Sequence, residues 1–165
     1  MSGFSVANNI TLRSYYATYR AFTTKSTRSS ATTNQLNYAD AQALRRAVRK
    51  LDDFDFETAD KDDISSHVRA FIDTYNYTMD SAKSSTNSYA TSTYKNLKNL
   101  ASKYSKDLEN IGIKENSSGY LTLSSSAVEN IRGSRFKSLL NKDSKFMKQL
   151  TTYAKRMANN IDYYA

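Results

Sequence analysis

Residues 64–79 read ISSHVRAFIDTYNYTM, and their apolar side chains repeat at the spacing of an α-helix. These side chains fall at i, i+4, i+7, i+8, i+11 and i+15, and they belong to Ile64, Val68, Phe71, Ile72, Tyr75 and Met79. Such a stripe covers one face of a helix and leaves the other face polar. The stretch therefore predicts an amphipathic helix whose apolar face is buried against other parts of the chain.

The segment before this helix, residues 52–63, is rich in Asp and predicts a loop. Asp60 or Asp62 is expected to cap the helix, because a carboxylate accepts hydrogen bonds from the free N–H groups of the first turn. The acids of this segment are therefore interpreted first as capping groups.

Asp53, Asp55 and Glu57 alternate in the same segment as ligands do in a calcium-binding EF-hand loop. The sixth position of that loop would be Thr58, where the turn requires glycine, and the twelfth would be Ile64, where a bidentate Glu is required. The match fails at both positions, so no metal site is predicted.

Two further stripes at helical spacing lie towards the C-terminus. The first predicts a helix made of Tyr94, Leu97, Leu100, Ala101, Tyr104, Leu108 and Ile111. The second predicts a last long helix, capped by Asp143 or Ser144, with an apolar face of Phe146, Leu150, Tyr153, Ala154, Met157 and Ile161. Isolated helices of this length are marginal in water, so the stripes are expected to pack together as an antiparallel bundle. The predicted core comprises Ile64, Val68, Phe71, Ile72, Tyr75, Leu97, Leu100, Leu108, Leu150 and Met157.

Residues 111–124, IGIKENSSGYLTLS, interrupt the helical pattern. Apolar residues alternate here at the two-residue period of a strand on both sides of a run of turn formers that ends at Gly119. Glycine takes a positive φ without steric cost, which suits a tight turn. The predicted fold class is thus mainly α, an antiparallel helical bundle with one short β-hairpin around residues 111–124.

Shorter segments follow the hairpin. Residues 124–126, all serine, are expected to cap a short helix that carries Ala127, Val128 and Ile131 and ends at Gly133. Residues 136–140 mark another short segment before the last helix.

The N-terminal part predicts one helix over about residues 6–25, a Ser/Thr-rich stretch at residues 23–35 that frays into a linker, and a second helix. The second helix carries an apolar stripe from Leu36 to Leu51. We divide the chain into residues 1–60, helical segments with the linker, and residues 61–165, the bundle with the hairpin. The two parts are expected to form one compact domain overall.

The amino-acid composition excludes several kinds of catalytic and metal-binding site. The chain of 165 residues has no Pro, Cys or Trp and only four Gly, which favours long helices and excludes disulfides and thiol catalysis. His67 is the only histidine, so a serine-histidine-aspartate triad would have one possible base and a metal site would lack a second imidazole. We interpret His67 as a histidine on the rim of a bundle helix. No catalytic residue and no cofactor is predicted.

The formal net charge of +8 attracts polyanions. Arg45, Arg46, Arg49, Lys145, Lys148, Lys155 and Arg156 are candidates for a surface that binds nucleic acid or another polyanion. A solvated basic face is the simpler interpretation, since no nucleic-acid-binding motif accompanies these residues. The sequence shows neither a signal peptide nor a stretch of ~20 apolar residues that would span a membrane.

Several motifs occur in an order that resembles the C-terminal region of the flagellar filament-cap protein, the hook-associated protein 2 family. They are VRAFIDTYN at 68–76, LENIGI at 108–113, a turn with Gly119, LTLS at 121–124 and FKSLL at 136–140. The family pattern places an F-V-x-x-Y-N helix before a hairpin of the form hGI-x-x-x-x-x-G-x-L, and the match spans about residues 62–161.

The resemblance implies a non-enzymatic structural and protein-interaction protein that acts through helix packing and through association with itself or a partner. It implies partners such as flagellin or other flagellar axial proteins, and export to the bacterial flagellum or cell surface without a cleaved signal peptide. In the family, the hairpin contacts neighbouring subunits. The alternative, from the charge, is a cytoplasmic basic bundle that binds nucleic acid or another polyanion.

Overall fold

A computed structural model describes the backbone of residues 6–165 and the side chains of residues 10–165. Within that range the helices are α1 (Val6–Tyr16), α2 (Lys25–Ser30), α3 (Thr33–Asp53), α4 (Lys61–Lys83), α5 (Ser88–Lys103), α6 (Ser105–Asn110), α7 (Ser125–Asn130), α8 (Gly133–Leu140) and α9 (Lys145–Asn159), with a 3-10 helix at Ala17–Thr23. The strands β1 (Ile113–Glu115) and β2 (Leu121–Leu123) form one antiparallel hairpin. The predicted fold class, mainly α with a hairpin inside residues 111–124, is confirmed.

Helices α3, α4, α5 and α9 form an antiparallel four-helix bundle, in which α3 contacts α4 and α9, and α5 contacts the same two helices. Polar contacts fix the directions. Asn37, near the start of α3, donates a hydrogen bond to Ser85, just after α4. Lys142, just before α9, forms an ion pair with Asp52 at the end of α3. Asn87, just before α5, donates to the carbonyl oxygen of Asn160, just after α9. Neighbouring helices therefore run in opposite directions.

The core lies inside this bundle and continues under α1, the hairpin and α8. All ten predicted core residues are at most 5% exposed: Ile64, Val68, Phe71, Ile72, Tyr75, Leu97, Leu100, Leu108, Leu150 and Met157. Side chains from both sides of residue 60, such as Tyr15, Leu44 and Phe71, share one hydrophobic cluster. The division into two parts at residue 60 stays a prediction.

Two of the expected helix caps are confirmed. The Asp60 carboxylate accepts a hydrogen bond from the backbone N–H of Asp63 at the start of α4, and Ser144 accepts one from Met147 at the start of α9. Each bond satisfies an N–H group that has no partner within its helix. Ser124 holds the cap position of α7 without such a side-chain bond.

The prediction of one N-terminal helix over residues 6–25 is wrong. Helix α1 ends at Tyr16, and Ala17 takes a positive φ of 50°, which bends the chain into the 3-10 helix. Helix α1 packs on α3 and α4, and the 3-10 helix that follows the bend packs on α3. The Ser/Thr-rich stretch at residues 23–35, the expected linker, contains α2 and the first turn of α3.

The helix predicted from Tyr94 to Ile111 is broken at Tyr104. This residue has φ −105° and ψ 18°, and it separates α5 from α6. Its ring packs edge-on against Phe146 of α9, with the ring centroids 5.5 Å apart. The break between α5 and α6 thus lies at a residue whose side chain packs against α9.

The prediction that Gly133 ends a helix is also wrong, because Gly133 is the first residue of α8. A Cβ atom at this position would lie 1.6 Å from the carbonyl oxygen of Phe56. The φ of Gly133 is not positive, so backbone conformation does not require a glycine here. The glycine is needed because the backbone of Phe56 passes too close to leave room for a Cβ atom. Among the described residues, no helix has the length and apolar character that crossing a bilayer requires.

Candidate interaction site at the hairpin

The hairpin turns at Asn116–Gly119, as the sequence predicts. The Asn116 side-chain oxygen accepts hydrogen bonds from the backbone N–H groups of Ser118 and Tyr120, and Gly119 has φ +86°. Gly112, with φ +77°, directs the chain from α6 into β1. Both glycines occupy the left-handed region, which residues with a Cβ rarely adopt.

Strand pairing leaves the backbone of Leu121 without a partner in β1. Gly112 and Ser124 are hydrogen-bonded to each other, as are Asn116 and Tyr120. In an antiparallel ladder the pairs alternate, so Leu121, which lies opposite Glu115, directs its N–H and C=O groups away from β1. This outer edge needs another hydrogen-bonding partner.

Helix α4 supplies that partner through Asn76. The Asn76 Nδ2 group donates to the carbonyl oxygen of Leu121, and Asn76 Oδ1 accepts from the Leu121 N–H, each at 2.9 Å. The side-chain amide thus takes the place of a neighbouring strand at the edge of β2. The N–H and C=O groups of Leu121 each have a partner in the Asn76 amide, so neither backbone group is left unpaired.

Tyr75 and Asp80 fix the tip of the hairpin. The single proton of the buried Tyr75 hydroxyl is shared between the carbonyl oxygens of Leu97 and Gly119, each 3.0 Å away, and burial raises the pKa of Tyr75 so that it remains a donor. The Tyr120 hydroxyl donates to Asp80 Oδ1 at 2.7 Å. We call Tyr75, Asn76 and Asp80 the α4 clamp.

The opposite surface of the hairpin faces solvent. Lys114 and Thr122 are paired across the two strands and are both exposed, as are Asn116 and Ser117 at the turn. The α4 clamp holds this small polar surface in a fixed position relative to the bundle.

The residues considered for chemistry lie apart from the hairpin. His67 is partly exposed on α4, where its ring stacks on Phe54 with centroids 3.9 Å apart and Nδ1 lies 2.8 Å from the Asp63 carbonyl oxygen. Asp55 accepts hydrogen bonds from the backbone of Glu57 and Thr58, so it orders its own loop. No group of three or more potential metal ligands exists among the described residues.

The candidate basic residues lie on two adjacent helices. Lys145, Lys148, Lys155 and Arg156 are all exposed on α9, which contains no acidic residue. Arg45, Arg46 and Arg49 lie on α3, which packs against α9, and Arg45 donates to Gln42. Of these seven cations, only Lys148 forms an ion pair with a described residue, at 3.7 Å from Asp143.

A buried polar network at the N-terminal end was not predicted from the sequence. Arg28 of α2 binds both carboxylate oxygens of Asp40 at 2.8 Å, and Asp40, on α3, is 0% exposed. The Tyr16 hydroxyl donates to the same carboxylate. Burial and the charge of Asp40 raise the pKa of Tyr16, which therefore stays protonated. The network ties α1 and α2 to the bundle.

Comparison of the chain with models of protein families, with curated proteins and with solved structures finds no match.

Proposed function

We propose that this protein is a non-enzymatic structural and protein-interaction component related to bacterial flagellar axial proteins of the filament-cap or hook-associated kind. It would act at the flagellum or cell surface through helix packing and through association with itself or with axial proteins such as flagellin. Export without a cleaved signal peptide belongs to the same proposal.

One observation supports this proposal most directly. The resemblance depends on a Tyr-Asn pair in a helix and on a Gly-x-Leu segment in a hairpin, and these two motifs contact each other. Tyr75 bonds Gly119, and Asn76 bonds Leu121. The motif residues thus have a shared physical purpose, which is to hold the hairpin as a fixed projection.

The test is association of the purified full chain with axial proteins. We expect size-exclusion chromatography with light scattering to show self-association, or a pull-down to retain flagellin or hook-junction proteins. Lys114→Glu reverses a charge on the exposed hairpin surface and is expected to weaken that binding, whereas Lys155→Glu on α9 is the matched control. A monomer that binds no axial protein would contradict the proposal.

The second candidate is a cytoplasmic bundle that binds nucleic acid or another polyanion. It is favoured by helix α9, whose exposed face carries four cations and no acid. Binding through phosphates should weaken steeply between ~50 and ~200 mM salt, because each contact releases a counterion. In this case Lys155→Glu reduces the affinity and Lys114→Glu does not. If the affinity for nucleic acid does not change with salt concentration, or if no binding is detected, this second function is excluded.

A further inference from the structure

A second surface feature lies away from the hairpin. A pocket of about 710 Å³ opens between α1, the 3-10 helix, α2 and α4. It is lined by three cationic residues, Arg13, Lys25 and Arg28, by Leu12 and Tyr77, and by three Ser or Thr residues. None of the described residues that line it is acidic. Pockets of this size class are the usual sites of small ligands.

Two of the three cations are free to meet a ligand. Arg13 and Lys25 are exposed, and neither side chain has a hydrogen-bond or ion-pair partner among the described residues. Their charges are not neutralised by a neighbouring carboxylate, so an anion placed between them gains from both.

Arg28 plays a different part, because its charge is already balanced by Asp40. Its guanidinium also donates to the carbonyl oxygen of Phe22 at 3.1 Å and lies over the ring of Tyr77, 4.0 Å from the ring centroid. Burial disfavours the charged form, but the hydrogen bond and charge of Asp40 outweigh this effect and raise the pKa of Arg28. Arg28 thus forms a fixed wall of the pocket.

The remaining lining adds an apolar surface and one free donor. Leu12 is only 3% exposed, so the partly buried ring of Tyr77 is the apolar side chain that a ligand can contact. The Tyr77 hydroxyl has no hydrogen-bond partner among the described residues. The hydroxyls of Thr23 and Ser29 already donate to backbone carbonyls, so they are not free donors. Burial raises the pKa of Tyr77, which keeps its O–H group as a donor.

We propose that this pocket binds a small organic anion in which a carboxylate is attached to an aromatic group. The carboxylate is held by Arg13 and Lys25, and the aromatic ring lies against Tyr77. Because Arg28 is held in place by Asp40, Phe22 and Tyr77, the wall needs little rearrangement on binding, which lowers the entropic cost of association. This ligand site goes beyond the proposed function and does not depend on it.

The experiment is a titration of the ¹⁵N-labelled full chain, followed by NMR, with 3-phenylpropionate as the test ligand. We expect saturable shifts of backbone amides in residues 12–29 and at Tyr77, with a Kd on the order of 1 mM for a ligand of this size. Inorganic phosphate tests the anion without the ring, and 3-phenylpropylamine tests the ring with the opposite charge. Both are expected to bind at least about tenfold more weakly.

Charge-reversed variants locate the site. Arg13→Glu and Lys25→Glu are each expected to weaken binding of 3-phenylpropionate by about fivefold or more, since each removes an attraction and adds a repulsion. Arg20→Glu is the matched control, because Arg20 is an exposed cation on the 3-10 helix that does not line the pocket. Tyr77→Phe tests the hydroxyl alone and should weaken binding by about threefold.

Each result decides the question. Binding of 3-phenylpropionate that is lost in Arg13→Glu and Lys25→Glu but kept in Arg20→Glu supports the proposal. Equal binding of phosphate would overturn the part assigned to the ring, and equal binding of the amine would overturn the part assigned to the cations. Absence of saturable shifts, or equal losses in Arg20→Glu, would overturn the site itself.

Discussion

Asn76 binds Leu121 through both ends of its side-chain amide, with two hydrogen bonds of 2.9 Å. The two residues are 45 positions apart, and the bonds join the middle of the longest helix to the edge of the hairpin. A single side chain thereby satisfies a backbone edge that would otherwise lack partners.

The first prediction concerns this pair. Asn76→Ala leaves the N–H and C=O groups of Leu121 without partners, and we expect the free energy of unfolding to fall by about 2–3 kcal/mol. Urea denaturation with an unchanged m-value measures the loss. Asn99→Ala is the control, because Asn99 is an exposed residue of α5 and the change should fall within about 0.5 kcal/mol. Equal stability of the two variants would show that the clamp does not hold the hairpin.

The helices and the hairpin could be predicted from sequence because their signals are local. The apolar stripe from Ile64 to Met79 records the buried face of α4 within one helix, and Gly119 marks a turn that needs a positive φ. Every predicted core residue belongs to such an apolar stripe, and every one of them is buried.

The errors arise where a distant part of the chain decides the local structure. Gly133 resembles a helix end in sequence, yet it is required because the backbone of Phe56 passes against it. Arg28 lies in a Ser/Thr-rich stretch that predicts a linker, and its contact with the distant Asp40 helps to hold that stretch as a helix against the bundle. No sequence pattern within either segment predicts these contacts. The pocket beside Arg28 was missed for the same reason.

The second prediction follows from Gly133. In Gly133→Ala the new Cβ would lie 1.6 Å from the Phe56 carbonyl oxygen, so the loop before α4 or the start of α8 must move apart. We expect a loss of about 2–4 kcal/mol, as for other changes that force packed backbone to shift. The midpoint of thermal unfolding by circular dichroism gives the readout. Ser134→Ala, an exposed neighbour, is the control and should leave the midpoint within a few degrees. A similar midpoint for both variants would contradict the close approach.

The third prediction tests the buried ion pair. Asp40→Asn removes the carboxylate that binds Arg28 and leaves the guanidinium, whose side chain is only 12% exposed, without a counter-charge among the described residues, which should cost about 3 kcal/mol. Asp143→Asn is the matched control, because Asp143 and Lys148 form an exposed pair whose loss should cost less than about 1 kcal/mol.

Salt separates the two variants further. The cost of Asp40→Asn, measured by urea denaturation, should be nearly the same at ~0.1 and ~1 M NaCl, since a buried pair is screened much less than an exposed one. A small cost that disappears at high salt would place Arg28 and Asp40 in solvent and would contradict the network.

The fourth prediction concerns Asp73, which is partly buried on α4 beside Arg69. Burial raises the pKa of Asp73 to about 6, and the charge of Arg69 opposes this shift only in part. Between the ordinary value of 3.8 and this value the folded protein binds more protons than the unfolded chain, so the contribution of Asp73 to stability falls as pH rises. Above pH 6 the ionised carboxylate is a net cost, because its desolvation exceeds the attraction to Arg69.

Asp73→Asn should therefore stabilise the protein at pH 7 by about 2 kcal/mol, after allowance for the solvent that still reaches this carboxylate. The gain should shrink as pH falls through 6 and should vanish below about pH 3, where the aspartate is protonated in both the folded and the unfolded chain. Urea denaturation of the variant and the wild type across this range measures it. Glu129→Gln, which changes an exposed acid on α7, should show no such gain at pH 7. If Asp73→Asn is destabilising at pH 7, the carboxylate serves as a bonding partner and its burial is not the dominant effect.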